Sequence, residues 1–252
     1  MEAARIAALM GHQVTLIEKE KMLGGHMIES TRQDFKANEA ELFRWLVTQV
    51  EKNGVKILLN ALVTPAVITR EKPDVLILAV GSEYMRPTIL GADSALMAGE
   101  VLENTSLAGK EVIVVGGGLV GAETALTLAM DKRKVTLLEM TAQIAEKHEP
   151  GTRGALIQRL QDEKVCILTG HTVVEIGTRH VIVKDANGTV LTIDADTVVL
   201  ATGLASRVYT ELTDIIPNTV CIGDCKEARK IYQCVHEAWN AVINTLSNDY
   251  IG

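Results

Sequence analysis

The sequence predicts an α/β fold built on parallel sheet, and three observations carry that expectation. Near-continuous apolar runs end at glycine over residues 74–81 (DVLILAVG) and 196–203 (DTVVLATG), the pattern of a parallel strand buried on both faces. Helical segments at 38–52, 122–131 and 151–163 alternate with such strands, which implies right-handed crossovers. The chain also repeats itself: Glu2-Ala3-Ala4 leads to Glu18 across 16 positions, and Glu123-Thr124-Ala125 leads to Glu139 across 16.

The repeat orders the remaining elements. Val14-Thr15-Leu16-Ile17 matches Val135-Thr136-Leu137-Leu138, and Val55-Lys56-Ile57-Leu58 matches Val165-Cys166-Ile167-Leu168. Each pair reads as a strand of the same sheet position. Overlaid in this register, Met1 falls on Ala122, directly after the third glycine of Gly116-Gly117-Gly118-Leu119-Val120-Gly121. The first copy is therefore expected to lack its opening strand and its glycine-rich loop. A central strand would bury three or four aliphatic side chains worth roughly 5–12 kcal/mol together, against about 5–15 kcal/mol for a whole domain. The expectation is a sheet gap that is narrowed, frayed or filled by another chain at its open edge. Between 173 and 193, Asn187-Gly188 flanked by β-formers predicts a hairpin. Residues 82–109 are less regular and are read as a crossing between domains. A last helix over 231–246 places Ile231, Cys234, Val235, Ala238, Trp239, Val242 and Leu246 on one stripe.

Composition narrows the function. A chain of 252 residues, 47% hydrophobic and 23% charged, is an ordinary globular composition. A net charge of -7 gives no basic footprint for nucleic acid, and no apolar run approaches the roughly 18 residues of a membrane helix. With no signal-peptide layout at the start, a cytoplasmic location is expected. Cys166, Cys221, Cys225 and Cys234 show no redox spacing and are read as reduced structural thiols. His12, His26, His148, His171, His180 and His236 have no metal-ligand spacing and are read as surface or helix-end residues. No metal site and no catalytic constellation is expected.

The strongest chemical signal is the complete glycine motif. Gly116 permits a tight turn, Gly118 lets backbone approach a pyrophosphate, and Gly121 lets the helix pack closely on the strand. Free N–H groups at that helix start favour an anionic phosphate. Strand, motif, helix, second strand and terminal acid all occur in order, which makes this a dinucleotide site; the plainer reading is a tight turn with no ligand. Glu139, 18 positions after Gly121, would accept hydrogen bonds from ribose hydroxyls and repel a 2′-phosphate, predicting NADH over NADPH. Lys132, Arg133 and Lys134 weigh against this only if they reach that end of the strand. Glu18 is the equivalent acid of the first copy, followed by Leu23-Gly24-Gly25; these could equally be a surface acid and a turn. Val220-Cys221-Ile222-Gly223-Asp224 reads as a short buried strand ending in Gly-Asp and followed by a helix, where an acid can bind a polyol hydroxyl.

These residues together resemble the two-dinucleotide-binding-domain flavoproteins of the pyridine nucleotide-disulfide oxidoreductase superfamily. Residues 2–12 (EAARIAALMGH) with Leu23-Gly24-Gly25-His26-Met27 look closest to the C-terminal portion of NADH:flavin oxidoreductases such as 2,4-dienoyl-CoA and enoate reductases. The resemblance implies two Rossmann-like domains in three layers: an FAD-type domain over 1–106 plus 206–252, and an inserted NAD(P)-binding domain over 107–205. It implies an NAD site of Gly116, Gly117, Gly118, Leu119, Val120, Gly121, Glu139 and Gly203. The FAD site would hold Glu18, Gly24, Gly25, Gly81, Gly223 and Asp224, with Gly81 and Gly203 ending strands at the domain crossovers. The implied activity is NADH-dependent hydride transfer to FAD, with an iron–sulfur cluster and FMN in a preceding barrel as partners. The missing glycine loop puts FAD binding in question, so a silent NAD(H)-binding or assembly subunit is the competing expectation.

Overall fold

A computed structural model describes residues 1–207, 209–213 and 215–246. The chain forms two compact units, one of Met1–Glu83 with Ala205–Gly252 and one of Tyr84–Leu204. Residues 84–106, expected with the first part, lie in the second unit.

The first unit opens with helix α1 (Glu2–Leu9) and strand β1 (Thr15–Ile17). A one-turn helix α2 (Met27–Ser30) precedes the amphipathic α3 (Ala37–Lys52), and β2 (Lys56–Leu58) follows. Helix α4 (Pro65–Glu71) starts with proline in its first turn, where Thr64 Oγ1 caps it by accepting from the Val67 N–H, since proline has no N–H to leave unsatisfied there. Strand β3 (Leu76–Leu78) follows, and β4 (Ser82–Tyr84) leads out of the unit.

In the second unit, β5 (Leu96–Met97) and α5 (Ala98–Glu103) precede β6 (Glu111–Val115), α6 (Leu119–Met130), β7 (Lys134–Leu138), α7 (Pro150–Asp162) and β8 (Cys166–Leu168). Three antiparallel strands follow: β9 (Thr172–Ile176), β10 (His180–Lys184) and β11 (Val190–Asp194). Asp185 closes the predicted β10–β11 turn by accepting from the Asn187 and Thr189 N–H groups. Strand β12 (Thr197–Leu200) completes a parallel sheet of order β5-β12-β6-β7-β8. The sheet alternates its side chains. Ile113, Val115, Leu138, Val198 and Leu200 pack on Val173, Ile176, Val181 and Val183 of the antiparallel strands. Helix α6 covers β6 and β7, with α5 and α7 beside it. The result is three layers: helices, parallel sheet and antiparallel sheet.

Strand β13 (Leu204–Ser206) returns the chain to the first unit, followed by α8 (Thr210–Thr213), β14 (Thr219–Cys221) and α9 (Ile231–Leu246). Here the sheet is in two pieces. β1 pairs in parallel with β2, β14 pairs in parallel with β3, and no strand joins the two pairs among the described residues. In the second unit, the equivalent position between β12 and β7 is held by β6. The expected gap is therefore present and open. Helix α1 contributes to a cluster with each pair: Ala3, Ile6 and Ala7 pack with Ile222, Ala238, Ala241 and Val242, while Ala4 packs with Leu23, Val50 and Val55.

Candidate functional site

In a parallel sheet, ligands bind outside the carboxyl ends of the strands, and the second unit concentrates its glycines there. Gly116 follows β6 with φ at +103°, a conformation that disfavours any side chain. A Cβ at Gly121 would lie 1.8 Å from the Gly116 carbonyl oxygen, so only glycine lets α6 start this close to the strand. Gly118 is different: a Cβ there would meet nothing within 4 Å. Its lack of a side chain leaves open space over the first turn of α6, where Leu119 and Val120 present free N–H groups. Such a turn can receive an anionic group.

Glu139 closes this turn from β7. Its Oε2 accepts from the Gly117 N–H at 2.7 Å, and its Oε1 accepts from the Thr141 N–H at 2.7 Å. A carboxylate has about four acceptor positions, so the acid is oriented by backbone and keeps capacity for ribose hydroxyls. The basic run Lys132, Arg133 and Lys134 sits at the opposite end of β7, where Lys134 pairs with Glu111 and Arg133 binds the carbonyls of Thr105, Ala108 and Gly109. Gly203 follows Ala201, whose carbonyl abuts Gly116, and its own carbonyl accepts from the Met85 N–H at 2.9 Å.

The first unit repeats part of this design. Glu18 ends β1, and its Oε1 accepts from the Glu20 N–H at 3.0 Å, as Glu139 does from the residue two positions on. Gly24 packs on Phe43, whose ring would lie 2.7 Å from a Cβ, whereas Gly25 and Gly81 border open space. The Gly81 carbonyl accepts from the Arg207 N–H at 3.0 Å.

Three of these segments are joined by the side chains of His26 and Ser82. His26 contacts Glu29 through Nδ1 at 2.6 Å and the Ser82 carbonyl through Nε2 at 3.0 Å. Both acceptors demand an N–H, so the imidazolium satisfies both at once. The Glu29 hydrogen bond, together with the charges of Glu29 and Asp224, raises its pKa despite burial. Ser82 is 2% exposed, and its Oγ donates to Asp224 Oδ2 at 3.0 Å. The His26–Glu29 spacing of three was visible in the sequence; the Ser82 link, across 142 positions, had no local signal.

The Gly-Asp segment departs from expectation. β14 is only partly buried, and Gly223-Asp224 opens a single 3-10 turn (Gly223–Cys225) rather than a helix. Helix α9 starts later, at Ile231. Asp224 Oδ1 accepts from the Arg229 N–H at 3.2 Å and from the Cys234 thiol at 3.5 Å. Burial, then the Asp224 charge, pushes the Cys234 thiol up to about 12, so it stays protonated as a donor. Glu237 on α9 accepts from the Gly223 N–H at 2.9 Å, from Lys226 at 3.2 Å and from Arg229. Burial opposes its ionisation, but the hydrogen bonds from Arg229, Gly223 and Lys226 outweigh this and hold its carboxyl below the usual range.

Among the described residues, no cluster of His, Cys, Asp or Glu could hold a metal ion, and no helix is long and apolar enough to cross a membrane.

The family model described as pyridine nucleotide-disulphide oxidoreductase matches residues 1–214. Cinnamate reductase of Clostridium sporogenes is 35% identical over 249 residues, covering 97% of this chain and 37% of that protein. NADH oxidase of Thermoanaerobacter brockii is 35% identical over 247 residues, covering 93% and 38%. The solved complex of 2-naphthoyl-CoA reductase with 2-naphthoyl-CoA superposes with a TM-score of 0.89 at 31% identity, covering 95% of this chain and 37% of that one. The chain thus spans well under half the length of these relatives. By model match and by fold, it belongs to the pyridine nucleotide-disulphide oxidoreductase family.

Proposed function

We propose that this chain is an NADH-dependent flavin oxidoreductase module that delivers hydride equivalents from NADH to FAD. The observation that carries the reading is the Glu139 carboxylate clamped by Gly117 and Thr141 beside the open first turn of α6. That turn would bind the pyrophosphate through its N–H groups. Glu139 would accept the adenosine ribose hydroxyls and reject a 2′-phosphate by charge, while residues 140–146 supply no basic side chain to receive one. NADH is therefore the proposed donor.

In the first unit, Glu18 would hold the FAD ribose, Gly24 and Gly25 would allow close backbone approach, and Asp224 would accept a ribityl hydroxyl. FAD, when bound, supplies a two-electron carrier. The chain's own residues bind and orient it, and Ser82 and His26 fix the geometry of Asp224. A barrel partner carrying FMN and an iron–sulfur cluster is the proposed electron acceptor. Recognition of a final substrate, which two of the relatives' names give as cinnamate and 2-naphthoyl-CoA for those proteins, would lie in that part.

The open gap between the β1–β2 and β14–β3 pairs favours a second reading, an NAD(H)-binding subunit without turnover. Measuring NADH oxidation with an artificial acceptor, with and without added FAD, separates the two. Activity that rises with FAD supports the module. NADH binding without turnover at saturating FAD would leave only the second reading.

A further inference from the structure

We infer that Glu237 is the positioning residue of the flavin site, holding the Gly223-Asp224 turn so that Asp224 faces its ligand. This rests on the reading that the first unit binds FAD. Gly223 has φ at +66° and lies beyond the end of β14 at Cys221, outside the strand ladder. Glu237 Oε2 takes up that N–H at 2.9 Å, from one helical turn below Cys234 on the same face of α9.

The second oxygen fixes the loop downstream. Glu237 Oε1 binds Lys226 at 3.2 Å and the Arg229 guanidinium, so one carboxylate grips both ends of the segment that precedes α9. The Arg229 backbone N–H in turn donates to Asp224 Oδ1 at 3.2 Å. Asp224 is thereby held by Ser82 from one side and by the Arg229 loop from the other. The Cys234 thiol of α9 also donates to Asp224 Oδ1 at 3.5 Å, but the Arg229 bond comes from a loop without helix or strand of its own, and Glu237 contacts the segment that carries it at three points. Charge-assisted hydrogen bonds of this kind are the strong ones, and a preorganised acid binds a hydroxyl without spending affinity on loop ordering.

The test compares wild type, Glu237→Gln and Glu237→Ala. FAD affinity is read by quenching of flavin fluorescence, the bound flavin by its visible spectrum, and NADH affinity by nucleotide fluorescence. Glutamine keeps an acceptor for the Gly223 N–H but loses the ion pairs; alanine loses both. The expected result is FAD affinity weakened about threefold in Glu237→Gln and more than tenfold in Glu237→Ala, with an altered flavin spectrum and unchanged NADH affinity. Should the alanine variant fail to fold, the glutamine variant carries the test alone. Equal FAD affinity and spectra in wild type and variant would overturn the assignment. Wild type that binds no FAD sinks the functional reading as well, an outcome distinct from variants that bind as wild type does.

Discussion

The Glu139 carboxylate accepts the Gly117 N–H at 2.7 Å, so the acid that would select the ribose is locked to the loop that would hold the phosphates. One hydrogen bond thereby links the segments that follow two neighbouring parallel strands, β6 and β7. Glu139→Ala should weaken NADH binding by roughly ten- to hundredfold, since hydrogen bonds to a charged group are worth about 1.5–3 kcal/mol. Glu139→Gln should keep the Gly117 bond and lose the charge, narrowing the preference for NADH over NADPH. Nucleotide fluorescence titrations with both cofactors measure this; an unchanged preference in the glutamine variant would show that Glu139 does not discriminate.

The glycines of the loop should separate by experiment. A Cβ at Gly121 lies 1.8 Å from the Gly116 carbonyl oxygen, whereas one at Gly118 meets nothing. Gly121→Ala must push α6 off the strand, and overpacking of this kind costs about 1–3 kcal/mol or more. Gly118→Ala should leave the melting temperature near wild type and lose nucleotide affinity, because the methyl group occupies the phosphate's space. A calorimetric scan paired with an NADH titration distinguishes them. If Gly118→Ala binds NADH normally, the phosphate does not sit over that turn.

His26 gives the first unit a pH dependence with a definite sign. Its folded pKa is raised above the ordinary 6.5, first by the Glu29 hydrogen bond. Protonation is therefore favoured in the folded state, and the stabilisation is fully present below about pH 6.5. It is lost as pH rises through the raised folded value, when the neutral ring can no longer donate to both Glu29 and the Ser82 carbonyl. His26→Ala should lower the melting temperature most at pH 5.5 and progressively less above neutrality. A difference that grows with pH would contradict the assignment of both ring nitrogens as donors.

The legible parts of this molecule are those where one period or spacing decides the structure. From β6 to β7, the apolar run, the glycines and the terminal acid all lie within 29 consecutive residues, 111–139, and each constrains its neighbours. Strand β5 has no signal in the sequence because only Leu96 and Met97 pair, with Val199 and Leu200, and two residues carry no periodicity. Between the Gly-Asp turn and the expected helix at 231–246, Lys226 to Lys230 runs through a charged loop that Glu237 and Asp224 fasten from outside. Ser82 and Arg229 acquire their roles only through partners brought near by folding. The candidate nucleotide residues could be read in order, whereas the hydrogen bonds that orient Asp224 could not.

The open gap in the first sheet predicts how the chain unfolds. Two-stranded pairs are marginal on their own, and here β1–β2 and β14–β3 rely on α1, α3 and α9 for their packing. The second unit has a continuous five-stranded parallel sheet covered on both faces. Heating should therefore produce two transitions, the first belonging to residues 1–83 and 205–252. NADH at about 100 times its Kd should stabilise only the unit that binds it, by about 2.7 kcal/mol, moving the upper transition and leaving the lower one in place. Amide exchange resolved by peptide identifies which segments open first, with 15–17, 56–58, 76–78 and 219–221 expected ahead of 111–115 and 134–138. A single cooperative transition that NADH shifts as a whole would mean that the two units melt as one, and that packing by the helices fully compensates for the break between the β1–β2 and β14–β3 pairs.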